Sequence, residues 1–145
     1  IICIMTNNAL ALTLTIKNPC SDQVLSWGID SDSETSVGSF TVKTLQNHQI
    51  SFEGSEAGIS SIFQTPIGSE AIDIVSDTEM YAYGWCYTVN GIGPEEYPDQ
   101  VMVGNEDQIL WYFGSAHYKD GQWLTQCEPS SSRRFTAFCE DQRDI

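Results

Sequence analysis

Basic residues are scarce: lysine and arginine number 6 against 20 aspartates and glutamates, for a formal charge of −14. A field of that sign repels nucleic acid and anionic membranes, so phosphate-bearing partners are not expected. Histidine is rarer still. His48 and His117 are the two bases able to act near neutral pH, and neither sits in a nucleophile motif. Gly54-Ser55-Glu56-Ala57-Gly58 puts no serine at the centre of G-x-S-x-G, and no Gly-rich phosphate loop occurs. The expectation is therefore a protein that is not an enzyme and carries no cofactor. No apolar run approaches the ~20 residues of a membrane helix, so no membrane span is expected. There is no Cys-x-x-Cys pair and no histidine at ligand spacing from a cysteine, which argues against a zinc centre. Asp30-Ser31-Asp32-Ser33-Glu34 alternates carboxylates, but Thr35 and Thr41 stand where an EF-hand needs glycine and glutamate. No metal site is expected, and the loop reads as a solvated acidic surface.

What is present is a chain of 145 residues, 41% hydrophobic and 11% aromatic, enough for one core and read as one domain over 1–145. Five cysteines without metal-ligand spacing indicate disulfides in an oxidising compartment, with a secreted, periplasmic or cell-surface location. The opening Ile1-Ile2-Cys3-Ile4-Met5, followed by Ala9-Leu10-Ala11, reads 1–11 as a signal remnant or an N-terminal arm.

Along the chain, Leu10, Leu12, Leu14 and Ile16 alternate with small or polar residues and predict a half-buried strand ended by Pro19. The Ser- and Asp-rich 21–39 reads as a long loop with a short element at Val24–Ile29. Phe40–Leu45 and Gln49–Phe52 are strand-like by composition. Glu56–Gln64 is expected as the principal helix, capped by Ser55, with Ile59, Ile62 and Phe63 on one face and Pro66 as its stop. Ala71–Val75 returns as a strand, and 114–145 is read as a C-terminal extension, with a tight turn at Asp120-Gly121 and a linker at 128–134.

The centre of the chain is 79–114. Tyr81, Tyr83, Trp85, Tyr87 and Val89 fall at every second position, and Ala82, Gly84, Cys86 and Thr88 fall between them, so an extended chain has one aromatic face and one small face. Asn90-Gly91 closes the strand with a dipeptide suited to positive φ, and Ile109–Phe113 supplies a second strand. The predicted fold class is α+β, mainly β, with one principal helix on a mixed, β-grasp-like sheet.

The run Tyr83-Gly84-Trp85-Cys86-Tyr87-Thr88-Val89-Asn90-Gly91, followed by Asp107-Gln108-Ile109-Leu110-Trp111-Tyr112-Phe113, resembles the transcobalamin-like C-terminal domain family over about 40–115. In that family a G-W-x-Y-x-V-N-G strand and turn precede a G-D-x-[IV]-x-W strand. The resemblance implies a β-grasp domain that binds soluble ligands on an exported protein. In animal cobalamin carriers it forms one lid over the corrin ring and a helical domain forms the other. Here the Gly-Asp reads Asn105-Glu106-Asp107-Gln108 and no helical domain precedes the β-region in the sequence given, so cobalamin is not part of the expectation.

Among the aromatics Tyr81, Tyr83, Trp85, Tyr87, Trp111, Tyr112, Phe113, Tyr118 and Trp123, most are expected in the core. Tyr81, Tyr83, Trp85, Tyr112 and Tyr118 form the predicted ligand-binding edge, with Tyr81, Tyr83, Tyr112 and Tyr118 its exposed members. The expected partner is a small molecule or a protein. The alternative is a structural subunit of an extracellular assembly joined by strand edges and disulfides. Cys86, on the small face, is paired with Cys127, which follows a run able to return along the same sheet. Cys20 with Cys139 is the second predicted bridge, leaving Cys3 as the odd thiol.

Overall fold

In the computed structural model, residues 11–30, 33–129 and 138–139 are described. The period-two pattern of Leu12, Leu14 and Ile16 builds β1 (Leu12–Lys17), with all three side chains fully buried. It pairs antiparallel with β2 (Val24–Ile29), the short element anticipated inside the acidic loop region. The two-residue β3 (Thr35–Ser36) leads into α1 (Val37–Asn47), and a hairpin of β4 (Phe52–Ser55) and β5 (Gly58–Ile62) follows. Then come β6 (Ile72–Ser76), β7 (Glu79–Val89), β8 (Met102–Val103), β9 (Gln108–Lys119) and β10 (Gln122–Pro129).

The main sheet runs β2-β1-β9-β7-β6, with β10 paired to the second half of β9. β1 and β9 are parallel at its centre and the other pairs are antiparallel. A leading hairpin, one helix across a face and a parallel central pair make an α+β, mainly β fold of the β-grasp type. One face of the sheet is covered. Leu12, Leu14, Ile16, Ile109 and Trp111 pack there against Val37, Phe40 and Leu45 of α1 and Ile59 and Ile62 of β5.

Two expected elements change places. The helix is not at Glu56–Gln64, which forms the turn and second strand of the β4–β5 hairpin, but at Val37–Asn47, where Phe40–Leu45 had read as a strand. The physical reason lies in polar residues used as core. Val37, Phe40, Thr41, Thr44 and Leu45 stand at i, i+3, i+4, i+7 and i+8, a full helical stripe whose threonines are buried. The Thr44 hydroxyl donates to the Phe40 carbonyl at 2.8 Å, and Ser36 caps the helix by accepting from the Ser39 amide at 3.0 Å. In β5 Ile59, Ser61 and Ile62 are buried; Ile59 and Ser61 alternate with the exposed Gly58 and Ser60, a period of two hidden by the serine, whose hydroxyl donates to the Thr65 carbonyl at 2.8 Å. Phe63 and Gln64, with φ of 58° and 61°, turn the chain out of the strand.

The other turns follow the sequence. Asn90 and Gly91 have φ of 53° and 82° between Val89 and Ile92, and Asp120 and Gly121 have φ of 51° and 83° between β9 and β10. Within the predicted C-terminal extension, the segment from 114 to 129 is sheet: it completes β9 and forms β10. Both predicted disulfides are present, Cys86–Cys127 and Cys20–Cys139. They fit an oxidising, extracellular-type environment. Among the described residues no helix is long and apolar enough to cross a membrane. The predicted 1–11 arm except Ala11, the odd thiol Cys3, most of the 128–134 linker and part of the acidic loop (Ser31, Asp32) lie outside the described residues.

Helix and sheet are joined by a buried polar contact. The Trp111 indole donates from Nε1 to the Thr41 hydroxyl at 2.9 Å, and both residues are at most 1% exposed. Thr41→Val keeps the shape and removes the acceptor, leaving a buried N–H unpaired. Urea unfolding is expected to show a loss of about 1–3 kcal/mol. A change under about 0.5 kcal/mol, the level of a typical surface substitution, would remove this bond from the account.

Candidate binding groove on the open sheet face

Strand parity decides which side chains meet on each side of the sheet. In the β7–β9 ladder, Tyr81 pairs with His117, Tyr83 with Ser115, Trp85 with Phe113 and Tyr87 with Trp111, all on the covered face. Tyr83 is 8% exposed, in a small cluster with Ala71 and Phe113, which corrects its expected exposure. Trp85 packs between Phe63 and Phe113 at centroid distances of 6.3 and 5.7 Å and donates from Nε1 to the Thr65 hydroxyl at 2.9 Å. Through Phe63 and Thr65, Trp85 fastens the segment that follows β5 to the sheet. Tyr81 stacks on His117 at 4.2 Å with the rings 6° from parallel, and His117 Nε2 meets Glu79 Oε1 at 2.9 Å.

The opposite face carries the even-numbered residues of β7, and none of the helix or hairpin residues of the main core packs there. Cross-strand rows run Ile74–Met80–Tyr118–Trp123, then Ile72–Ala82–Ala116, then Gly84–Gly114, then Cys86–Tyr112. Small residues in the second and third rows lower the floor. Trp123 and Gln126 of β10, with the Cys86–Cys127 bridge, stand beside that floor and enclose a groove of about 300 Å3. None of its lining residues is charged, in a chain whose net charge is −14. The floor is also open at its middle, since a Cβ added at Gly84 would meet nothing within 4 Å.

Tyr112 and Tyr118 belong to this face. The Tyr112 hydroxyl donates to the Cys127 carbonyl at 2.7 Å. Burial, followed by the Glu128 carboxylate, pushes the Tyr112 phenol above its usual value and keeps the donor protonated. Tyr118 meets Trp123 edge to face at 5.1 Å, and the indole, which lines the groove, is 47% exposed. Beyond Tyr112 the same face continues into a hollow of about 290 Å3 beside Pro19, Leu110 and Pro129. A larger one of about 510 Å3 lies over Thr13, Thr15, Thr88 and Leu110.

The predicted site residues are therefore divided by the sheet: Tyr81, Tyr83 and Trp85 on the covered face, Tyr112 and Tyr118 on the open one. The groove floor was not among them. Its signal was the alternation of Ala82, Gly84 and Cys86, matched in β9 by Gly114 and Ala116, which reads equally as close packing until the partner layer proves to be on the other side. Among the described residues no three His, Cys, Asp or Glu side chains come together to hold a metal ion.

No protein-family model matches the chain, and no curated protein matches it. Among solved structures it is similar to one from Ruminococcus gnavus ATCC 29149 described as a "putative metal binding protein". The identity is 18% and the TM-score 0.46, over 78% of this chain and 99% of that one.

Proposed function

We propose that the protein is a non-catalytic, ligand-binding β-grasp domain of the transcobalamin-like type, working outside the cytosol in the secreted, periplasmic or surface-bound state. It takes an uncharged, apolar group into the groove between the Ala82, Gly84, Gly114 and Ala116 floor and Trp123. The observation that carries this reading is an uncharged hollow with a small-residue floor and a half-exposed tryptophan, on the open face of a strongly acidic protein. At about 300 Å3 the groove is at the lower end for small-molecule pockets and suits one ring system or a short aliphatic group. The rest of a larger ligand would lie along the same face over the neighbouring hollows.

The test uses the neutral dye N-phenyl-1-naphthylamine, whose two-ring head matches the groove and whose lack of charge avoids the acidic field. Titration followed by amide and indole chemical shifts is expected to saturate at one site. The largest shifts belong to Ala82, Gly84, Gly114, Ala116 and the Trp123 indole. Largest shifts on the covered face, at Tyr81 or Trp85, would overturn the placement, and no saturable binding would overturn the reading.

A further inference from the structure

The wall of the groove is held in an unusual way. β10 pairs regularly with β9 at Gln122 and Trp123, but the register then shifts twice, between Trp123 and Thr125 and between Thr125 and Glu128. Gln126 and Cys127 together face the single residue Ala116, an outward bulge at the groove margin. Cys127 has a φ of 54°, a left-handed backbone that residues with a side chain seldom take. Two links outside the ladder hold it there, the bridge to Cys86 and the Tyr112 hydroxyl on its carbonyl. The second disulfide is placed differently, because Cys139 is 5% exposed and its Sγ sits 3.6 Å from the Pro19 carbonyl. Cys127, by contrast, is an exposed residue.

We propose that Cys86–Cys127 is a thiol-exchange site that sets the groove: oxidised, it holds the wall in place, and reduced, it lets Gln126 and Cys127 leave and the groove open. This rests on the reading of the groove as the binding site. The reductant is an external dithiol. Its thiolate attacks the Cys127 sulfur, the S–S bond breaks, and Cys86 departs as a thiolate that takes up a proton. The second thiol of the reductant then displaces Cys127 from the mixed disulfide. The protein has gained two electrons and two protons and the dithiol has become a disulfide. Access favours this bridge over Cys20–Cys139. Once it is open, the left-handed turn at Cys127 keeps the Tyr112 hydrogen bond alone.

The experiment uses the native protein. Free thiols are blocked, dithiothreitol is added in steps, and newly freed cysteines are trapped by alkylation and mapped. Cys86 and Cys127 are expected to be labelled at a dithiothreitol concentration at least tenfold below that needed for Cys20 and Cys139. On the selectively reduced protein, the amides from Gln126 to Glu128 are expected to exchange hydrogen at least tenfold faster. Those of Ala82 and Gly84 should stay as protected as before, and the dissociation constant for N-phenyl-1-naphthylamine should rise at least fivefold. Labelling of Cys20 and Cys139 first or together with the others, unchanged exchange at the bulge, or dye affinity unaltered by reduction each overturns the proposal. If the oxidised protein binds no dye while labelling and exchange behave as stated, the exchange site stands and the reading of the groove as a binding site falls.

Discussion

Gly38→Ala is expected to destabilise the protein by about 3 kcal/mol or more, although it replaces a glycine inside a helix by the best helix former. Propensity alone favours alanine there by about 1 kcal/mol. Packing reverses the sign. Gly38 is the second residue of α1 and lies against the β4–β5 turn, where an added Cβ would fall on the Glu56 carbonyl oxygen, with the carbonyl carbon only 2.7 Å away. These are main-chain atoms and cannot rotate aside as a side chain could. Relief requires moving the start of the helix away from the hairpin or distorting the turn. Overpacking of ordinary core sites costs about 1–3 kcal/mol, and a backbone obstacle belongs at or above the upper end. A loss of that size is a large part of the ~5–15 kcal/mol by which a domain of this kind is stable. Thermal and urea unfolding decide the matter by sign: Gly38→Ala equal to or more stable than the native protein would mean that α1 does not rest on the hairpin turn.

The packing of α1 on the hairpin was not legible in the sequence. Strands whose inward residues are all apolar were legible, as in Leu12, Leu14 and Ile16, and so were turns whose residues take positive φ, as at Asn90-Gly91 and Asp120-Gly121. The disulfides were legible because strand parity put Cys86 on the small face and the hairpin turn brought the chain back beside it. Failure came where core positions are filled by hydroxyls. Thr41 and Thr44 belong to the buried stripe of α1, and their branched side chains raise strand propensity, while in the fold Thr44 bonds within the helix and Thr41 accepts from the Trp111 indole. Ser61 does the same in β5, so that Ile59, Ile62 and Phe63 were left to suggest a helical face. The site was half visible. Two faces of β7 could be told apart from the alternation of large and small residues, but which face is covered depends on where α1 and the hairpin pack. With the helix misplaced, aromatic residues that hold the covered face together, Tyr83 and Trp85, looked like the binding surface.

The central claim is that the small-residue floor of the open face is a binding groove, and filling the floor tests it most directly. Gly84 lies mid-strand on that face, where its row partner is Gly114 and an added Cβ would project into empty space. Gly84→Leu therefore extends a branched apolar side chain into the groove without a clash at its root. A glycine inside a strand weakens it, so stability should hold or rise slightly. An occupied floor excludes the ligand. The account predicts that titration of Gly84→Leu with N-phenyl-1-naphthylamine gives a dissociation constant at least tenfold above the native value, a loss of about 1.4 kcal/mol, with the unfolding midpoint unchanged or raised. Gly58→Leu adds the same side chain on the distant hairpin, where a Cβ also meets nothing within 4 Å, and should bind as the native protein does. Native affinity in a folded Gly84→Leu would contradict the account, because the ligand would then have no need of the groove.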